Sequence, residues 1–196
     1  MTNRVLSTIA FQYNPETLSR TLQPQVAEGE ETAQAEALRL EGAPIETIKV
    51  DAEFDATDQL ETASPVAIEF GIYPQLAALE TLIYPRSSEV VANMGRADGG
   101  MVEIVPMQAP MTLFVWGKNR VLPVRITDFS ITEESYDVNL NPIRAKVSLG
   151  MRVLNYDDLP WGQRGARLFL GHHQMKERMA RQGHIRNPAA VTGVNL

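Results

Sequence analysis

Alternating apolar and polar residues predict two strands clearly. Across 47–55 the apolar residues Ile48, Val50, Ala52 and Phe54 alternate with charged ones. The same two-residue period runs through 144–153, where the apolar positions are Ala145, Val147, Leu149, Met151 and Val153. This period is typical of a strand with one buried and one solvated face, so both segments predict an antiparallel sheet.

Weaker patterns predict the remaining strands. We expect strands over 4–13, 17–23, 101–105, 111–116 and 120–134. Asn14-Pro15 separates the first two, because proline has no N–H for a strand ladder. In the last strand the parity of the apolar positions changes between Ile126 and Phe129, which predicts a bulge near Asp128.

Helical signals lie in the middle of the chain. Ser64-Pro65 is typical of a helix start, Pro74 predicts a kink or two short helices, and Pro85 ends the run near residue 84. A polar, glycine-bearing loop is expected over 86–100. The Ala- and Glu-rich segment 27–42 is consistent with either a marginal helix or a mobile arm.

A second kind of helix is predicted near the end of the chain. Leu168, Met175 and Met179 have nearly helical spacing, so we expect a basic helix over 163–181, weakened by Gly165 and Gly171. Together these elements predict a mainly β fold with flanking helices, of the α+β class. We expect a β domain over 1–156, with an arm or loop at 24–42 and a helix near 64–84, and a basic helical extension and tail over 157–196.

The charge is unevenly distributed. Residues 1–80 carry 14 acidic and 4 basic side chains, whereas residues 81–196 carry 10 acidic and 14 basic ones. Such a distribution is consistent with a nucleic-acid-binding tail or with a basic part that meets an acidic protein surface. The net charge of -6 favours the second interpretation, and we expect no nucleic-acid partner. The N-terminus lacks the pattern of a secretory signal, and no apolar run is long enough for membrane insertion.

Motifs for catalysis or metal binding are absent from the sequence. There is no cysteine, GxSxG, phosphate-binding glycine loop or HExxH, and His172 and His173 are neighbours that cannot chelate one ion from a rigid helix. Neighbouring carboxylates, such as Asp157-Asp158, are expected to be solvated. We therefore expect no enzyme activity, no metal and no cofactor; an enzyme with an unrecognised site is the weakest alternative.

Four residues are candidates for a subunit interface: Arg144, Trp161, Arg164 and Arg167. Arg144 precedes an amphipathic strand, where an interface ion pair and a solvated strand end are both consistent with the sequence. Trp161 could pack on the body of the chain or dock on a partner. The other tryptophan, Trp116, follows Phe114 at strand spacing and is expected in the sheet core.

Several phrases occur in an order that resembles the tube-protein family of contractile injection systems. They are Phe11, Tyr13, Asn14 and Pro15 at the start, then Leu76, Leu79, Glu80, Leu82 and Pro85 in a helix. Later come Pro110, Phe114, Trp116 and Gly117, and finally Pro142, Ile143, Arg144, Ala145 and Val147. The resemblance covers roughly residues 5–155.

The resemblance implies a tail-tube β-barrel of two packed antiparallel sheets, flanked by a helix. It implies a homohexameric ring whose sheets join around a channel, with adjacent tube, spike, hub and baseplate subunits as partners. The ring would be assembled in the bacterial cytoplasm as part of a phage-tail-like particle that is released in some systems. Many members add a C-terminal LysM module, but the 41 residues after residue 155 do not fit one.

Two functions of different classes follow from this resemblance. The first is a structural tube-initiator or inner-baseplate ring that links the spike and hub to the inner tube. The alternative is a particle-attached baseplate module that binds peptidoglycan or carbohydrate. For the ring, we also expect residues 24–42 and 157–196 to contact neighbouring subunits.

Overall fold

A computed structural model describes residues 8–26, 39–98, 107 and 109–183 of the chain. The strands are β1 (Leu18–Gln23), β2 (Ile45–Asp55), β3 (Thr112–Val115), β4 (Val121–Tyr136) and β5 (Pro142–Val153). The helices are α1 (Thr57–Glu61), α2 (Pro65–Phe70), α3 (Tyr73–Glu80), α4 (Ser87–Asp98) and α5 (Arg164–Gly183). The strands form a sheet of order β1-β2-β5-β4-β3, so the expected α+β class with flanking helices is confirmed.

The centre of the sheet is the antiparallel pair of β2 and β5. Its register sets Val50 opposite Leu149 and Phe54 opposite Ala145. All the alternating apolar residues predicted for these two strands are buried. The two strongest strand predictions are therefore confirmed, because a strict two-residue period leaves only one way to remove these side chains from water.

The helical segment after β2 is divided as the prolines predicted. Ser64 precedes α2 and Pro65 opens it, whereas α3 begins at Tyr73 with Pro74 in its first turn. Proline is tolerated there because the first N–H groups of a helix have no intrahelical partner. Leu76 and Leu79 of α3 are buried.

The predicted strand 4–13 and the predicted loop 86–100 are wrong for the residues that the structure describes. Residues 8–13 form no strand; instead the Gln12 side chain donates to the carbonyl of Asp55 (2.7 Å) and accepts from its N–H (2.9 Å). One side-chain amide thus makes the bonds that a neighbouring strand would make. The expected loop 86–100 contains α4, which continues through Gly95 because a single helical glycine costs only about 1 kcal/mol.

Other predictions were met or lie outside the described residues. Strand β1 confirms the segment 17–23, and β3 and β4 confirm 111–116 and 120–134. The predicted strand 101–105 lies outside the described residues. So does most of the arm 24–42, in which Val26 and Leu40 form an antiparallel bridge. The bulge near Asp128 stays a prediction.

The chain contains two compact units. Unit 1 comprises 1–24, 44–112 and 125–153, and unit 2 comprises 25–43, 113–124 and 154–196. Unit 1 therefore holds β1, β2, β5, α1 to α4 and most of β4, whereas unit 2 holds most of β3, the start of β4 and α5. Among the described helices, none combines the length and apolar character that crossing a bilayer requires.

Helix α5 confirms the predicted basic helix but buries a different face. Its buried residues are Gly165, Ala166, Phe169 and His172, whereas Met179 is exposed. Phe169 contacts Tyr156 edge to face, with ring centres 5.6 Å apart. Nδ1 of the buried His172 lies 3.2 Å from the carbonyl oxygen of Asn119. Small residues at the start of the helix allow this close packing.

Glu46 of β2 is a buried carboxylate at the same strand parity as the buried residues Ile48 and Val50. Glu46 is 2% exposed, and its Oε1 accepts from Nε of Arg20 (2.6 Å) and lies 2.6 Å from Nη2 of the same guanidinium. Burial of a charge is costly unless the charge is paired and hydrogen-bonded. Arg20, on β1, therefore makes the burial of Glu46 tolerable.

Removing one partner of the Arg20–Glu46 pair should lower the stability of the fold more than replacing both partners with apolar residues. We expect Arg20→Met to lower the free energy of unfolding by about 1–3 kcal/mol, because the buried Glu46 carboxylate loses the guanidinium that contacts it. The double variant Arg20→Met/Glu46→Met should recover much of that loss, since an apolar pair avoids desolvation of both ions. Urea unfolding measures both values. A double variant less stable than Arg20→Met would contradict the assignment.

Candidate assembly surface

The tip of the β4–β5 hairpin is a rigid turn built on one aspartate. Oδ1 of Asp137 accepts from the N–H groups of Asn139 and Asn141, both at 2.8 Å, and Oδ2 accepts from the Asn141 side chain at 2.9 Å. Donation by the Asn141 side chain is the main cause that lowers the pKa of Asp137 below its ordinary value. The turn is thus fixed by charge-assisted hydrogen bonds.

This turn projects two apolar side chains into solvent. Val138 is 97% exposed and Leu140 is 78% exposed. Leu140 also has φ of 65°, a left-handed conformation that costs an L-residue about 1–2 kcal/mol. Strained residues persist only where the surroundings fix them, and they cluster at functional sites. The Asp137 network supplies that fixation.

The hairpin tip is attached to the turn between α2 and α3. The Asn141 side chain donates to the carbonyl of Glu69 (3.1 Å), and the N–H of Ile72 donates to the carbonyl of Pro142 (2.9 Å). Gly71 lies between them with φ of 60°. A Cβ at this position would be 2.1 Å from the carbonyl oxygen of Pro142, so only glycine allows the two segments to approach this closely.

The attachment brings exposed apolar residues from two segments to one end of unit 1. We call this the end surface; its members are Phe70, Tyr73, Val138 and Leu140. Each is at least 43% exposed. Single exposed apolar residues are ordinary, but a group held on a rigid support is typical of a protein interaction site.

On the solvated face of the sheet, two cations pair with carboxylates. Nη2 of Arg144 lies 2.7 Å from Oδ2 of Asp55, and Nζ of Lys146 lies 2.9 Å from Oε1 of Glu134. These groups line an open cavity of about 340 Å³ beside Tyr13. Since both cations already contact carboxylates, the cavity offers no excess positive charge to an anionic ligand.

The titration of these groups is shifted away from neutral pH. Donation by the Thr57 hydroxyl, followed by its N–H and by Arg144, lowers the pKa of Asp55. The hydrogen bond to Asp55 raises the pKa of Arg144, and the bond to Glu134 raises the pKa of Lys146. General acid–base catalysis favours pKa values near the working pH, so these shifts are typical of a structural network.

The four predicted interface residues fall on both units. In unit 1, Arg144 opens β5 and is half-exposed while it pairs with Asp55 of its own chain. In unit 2, Trp161 is 64% exposed just before α5, and Arg164 and Arg167 are exposed in the first turn of that helix. Their role in subunit contacts stays a prediction.

The other predicted residues have structural positions. Trp116 is half-buried and stacks on buried Phe114 with ring centres 5.8 Å apart, so its expected place inside the core is wrong. Asp157 and Asp158 are exposed, as expected, but they also organise a turn with Asn155, whose Oδ1 accepts from both of their N–H groups. Within the described residues, no three His, Cys, Asp or Glu side chains form a group suited to a metal ion.

The end surface was not predicted from the sequence. Its signal was present in Asp137, Asn139 and Asn141, since Asp and Asn bond to the backbone of tight turns, and in the two apolar residues between them. No protein-family model and no curated protein matches the chain. The geometry of the end surface and of α5 is therefore the basis for a functional proposal.

The close contact at Gly71 can be tested by comparing Gly71→Ala with the same substitution at Gly117. We expect Gly71→Ala to lower the free energy of unfolding by about 1–3 kcal/mol more than Gly117→Ala, because overpacking adds to backbone strain. Gly117 has φ of 65°, but a Cβ added there would have no other atom within 4 Å, so it reports the strain alone. Equal losses in thermal or urea unfolding would contradict the close contact with Pro142.

The Asp55 network predicts acid sensitivity. Because the pKa of Asp55 is lowered on folding, its contribution to stability is complete above the unfolded pKa of about 4 and is lost as the pH falls through the folded value. We expect Asp55→Asn to flatten the fall in Tm below about pH 4. Thr57→Val should flatten it partly, since it removes only the hydroxyl donor. Parallel wild-type and Asp55→Asn curves would contradict this assignment.

Proposed function

We propose that the chain is a structural subunit of a phage-tail-like contractile injection system. In this proposal, six copies form a tube-initiator or inner-baseplate ring that links the spike and hub to the inner tube, assembled in the bacterial cytoplasm. The ordered phrases from Phe11 to Val147 supply the resemblance to tube proteins. The observation that carries the proposal is the end surface, a rigid apolar area left open in a single copy.

The rigidity of the end surface supports an assembly role. The Asp137 network and the contact at Gly71 fix its shape before any partner binds. A preorganised surface loses little conformational entropy on association, so more of the contact energy appears as affinity. Exposed Val138 and Leu140 contribute nothing to the core of their own chain, which is consistent with retention for a partner.

The sheet supports the same role. Among the described residues, β1 pairs only with β2, and Leu22 on this edge strand is 44% exposed. An open edge is a template for pairing with another chain, and closure into a ring removes it. We propose that the sheet forms part of a two-sheet barrel in each copy, that the sheets of neighbouring copies join around a channel, and that the face with Arg144 and Lys146 lines this aqueous channel.

Assembly can be measured directly. Native mass spectrometry and electron microscopy of the purified chain should show rings of six copies or a multiple of six. Val138→Ser/Leu140→Ser should shift the distribution toward monomers without loss of thermal stability, because both side chains lie in solvent. Met94→Ser, at an exposed position on α4, is the matched control and should leave the rings intact.

Other outcomes would favour other functions. A wild-type chain that stays monomeric at high concentration and is absent from particles would overturn the proposal. If that monomer were retained on purified cell wall, the baseplate module that binds peptidoglycan or carbohydrate would replace it. Retention on cell wall by an intact ring would add a binding activity and leave the structural role in place.

A further inference from the structure

Phe70 and Tyr73 of the end surface lie in a part of the chain whose charged side chains are all acidic. Residues 50–85 contain seven acidic side chains and no lysine or arginine. Asp58 and Glu61 on α1 and Glu69 on α2 are exposed, and Glu69 lies between the apolar residues Ile68 and Phe70. Apolar contact and negative charge are therefore offered together at this end of unit 1.

The start of α5 has the opposite charge and a matching apolar group. Residues 161–183 carry five basic side chains and one acidic one. Trp161 is exposed just before the helix, in a turn closed by donation from the N–H of Gln163 to the carbonyl of Pro160 (2.8 Å). Arg164 and Arg167, three residues apart, are neighbours on the helix surface. We call residues 161–167 the basic anchor.

The composition of the basic anchor is typical of an interface centre. Tryptophan and arginine are the residue types most enriched among those that dominate binding energy. Trp161 offers a large apolar area and an indole N–H, and each guanidinium can bind a carboxylate through two parallel hydrogen bonds. The end surface provides apolar side chains and carboxylates, so the chemistry of the two surfaces is complementary.

We propose that the basic anchor of one copy binds the end surface of the next copy, with Trp161 on the apolar residues and Arg164 and Arg167 on Glu61 and Glu69. The partner is a second copy of this chain because both surfaces are exposed within one copy and their charges are opposite. Two different patches that meet in this way form a head-to-tail contact, which closes into a ring when the rotation allows it. This inference rests on the proposed ring and names the contact that builds it.

Charge reversal tests the contact. The acidic variant Arg164→Glu/Arg167→Glu carries negative charge on both surfaces, whereas the basic variant Glu61→Lys/Glu69→Lys carries positive charge on both. Neither variant alone should form rings, as measured by native mass spectrometry. The salt concentration should be roughly 50–100 mM, because screening weakens exposed ion pairs at high salt. Circular dichroism and Tm establish that each variant is folded.

Mixing the two variants provides the decisive measurement. In an equimolar mixture every contact between unlike copies joins opposite charges, so alternating rings with equal numbers of the two masses should form. The variant with all four substitutions should again form rings by itself. Arg178→Glu/Arg181→Glu, on exposed residues near the other end of α5, makes the same charge change and should assemble as wild type does.

The outcomes separate this inference from the proposed function. If wild type forms rings and both reversed variants also form them, or if the mixture fails to restore them, the contact is wrong and the ring remains. If the wild-type chain is monomeric, the proposed ring is wrong, and the contact that rests on it is wrong as well. Trp161→Ala should raise the protein concentration required for ring assembly at least about tenfold. An unchanged concentration would remove Trp161 from the contact.

Discussion

The close contact between Gly71 and the carbonyl of Pro142 is the constraint on which the exposed end of unit 1 depends. It allows the α2–α3 turn to bond to the start of β5 and places the hairpin tip beside it. Without it, Val138 and Leu140 would be isolated apolar residues of a loop, and Phe70 and Tyr73 would belong to a separate helical turn. One residue without a side chain thus brings exposed apolar residues of two segments to one end of unit 1.

Sequence patterns predicted the parts of the fold that depend on local repetition. The alternation in β2 and β5 is strict, and the sheet follows it, since any other arrangement leaves five apolar residues of β5 in water. The prolines divided the helical segment as expected. Residues 8–13 had the same apolar character as a strand, but the Gln12 amide satisfies the Asp55 backbone in its place. Because a single side chain makes these hydrogen bonds, no alternating pattern in the sequence predicts them.

The candidate site was harder to predict because it is made by contacts between distant residues. Trp161, Arg164 and Arg167 stood out by residue type, and the structure exposes all three. The end surface did not stand out, since its residues come from positions about seventy apart that only the fold joins. The buried face of helix α5 was also not predicted. Phe169 and the small residues near it are buried, whereas the helical spacing in the sequence had indicated Leu168 and Met179.

The Arg20–Glu46 pair has a consequence for how β1 can be added to the sheet. In the observed register Arg20 is opposite Ile48 and Leu22 is opposite Glu46, so the guanidinium reaches diagonally to the carboxylate on the same face. A slip of β1 by one residue would turn Arg20 to the opposite face and leave Ser19 or Thr21 beside Glu46. Neither hydroxyl carries the positive charge that this buried carboxylate requires. The pair therefore disfavours registers of β1 that are shifted by one residue, and so helps to specify the observed pairing with β2.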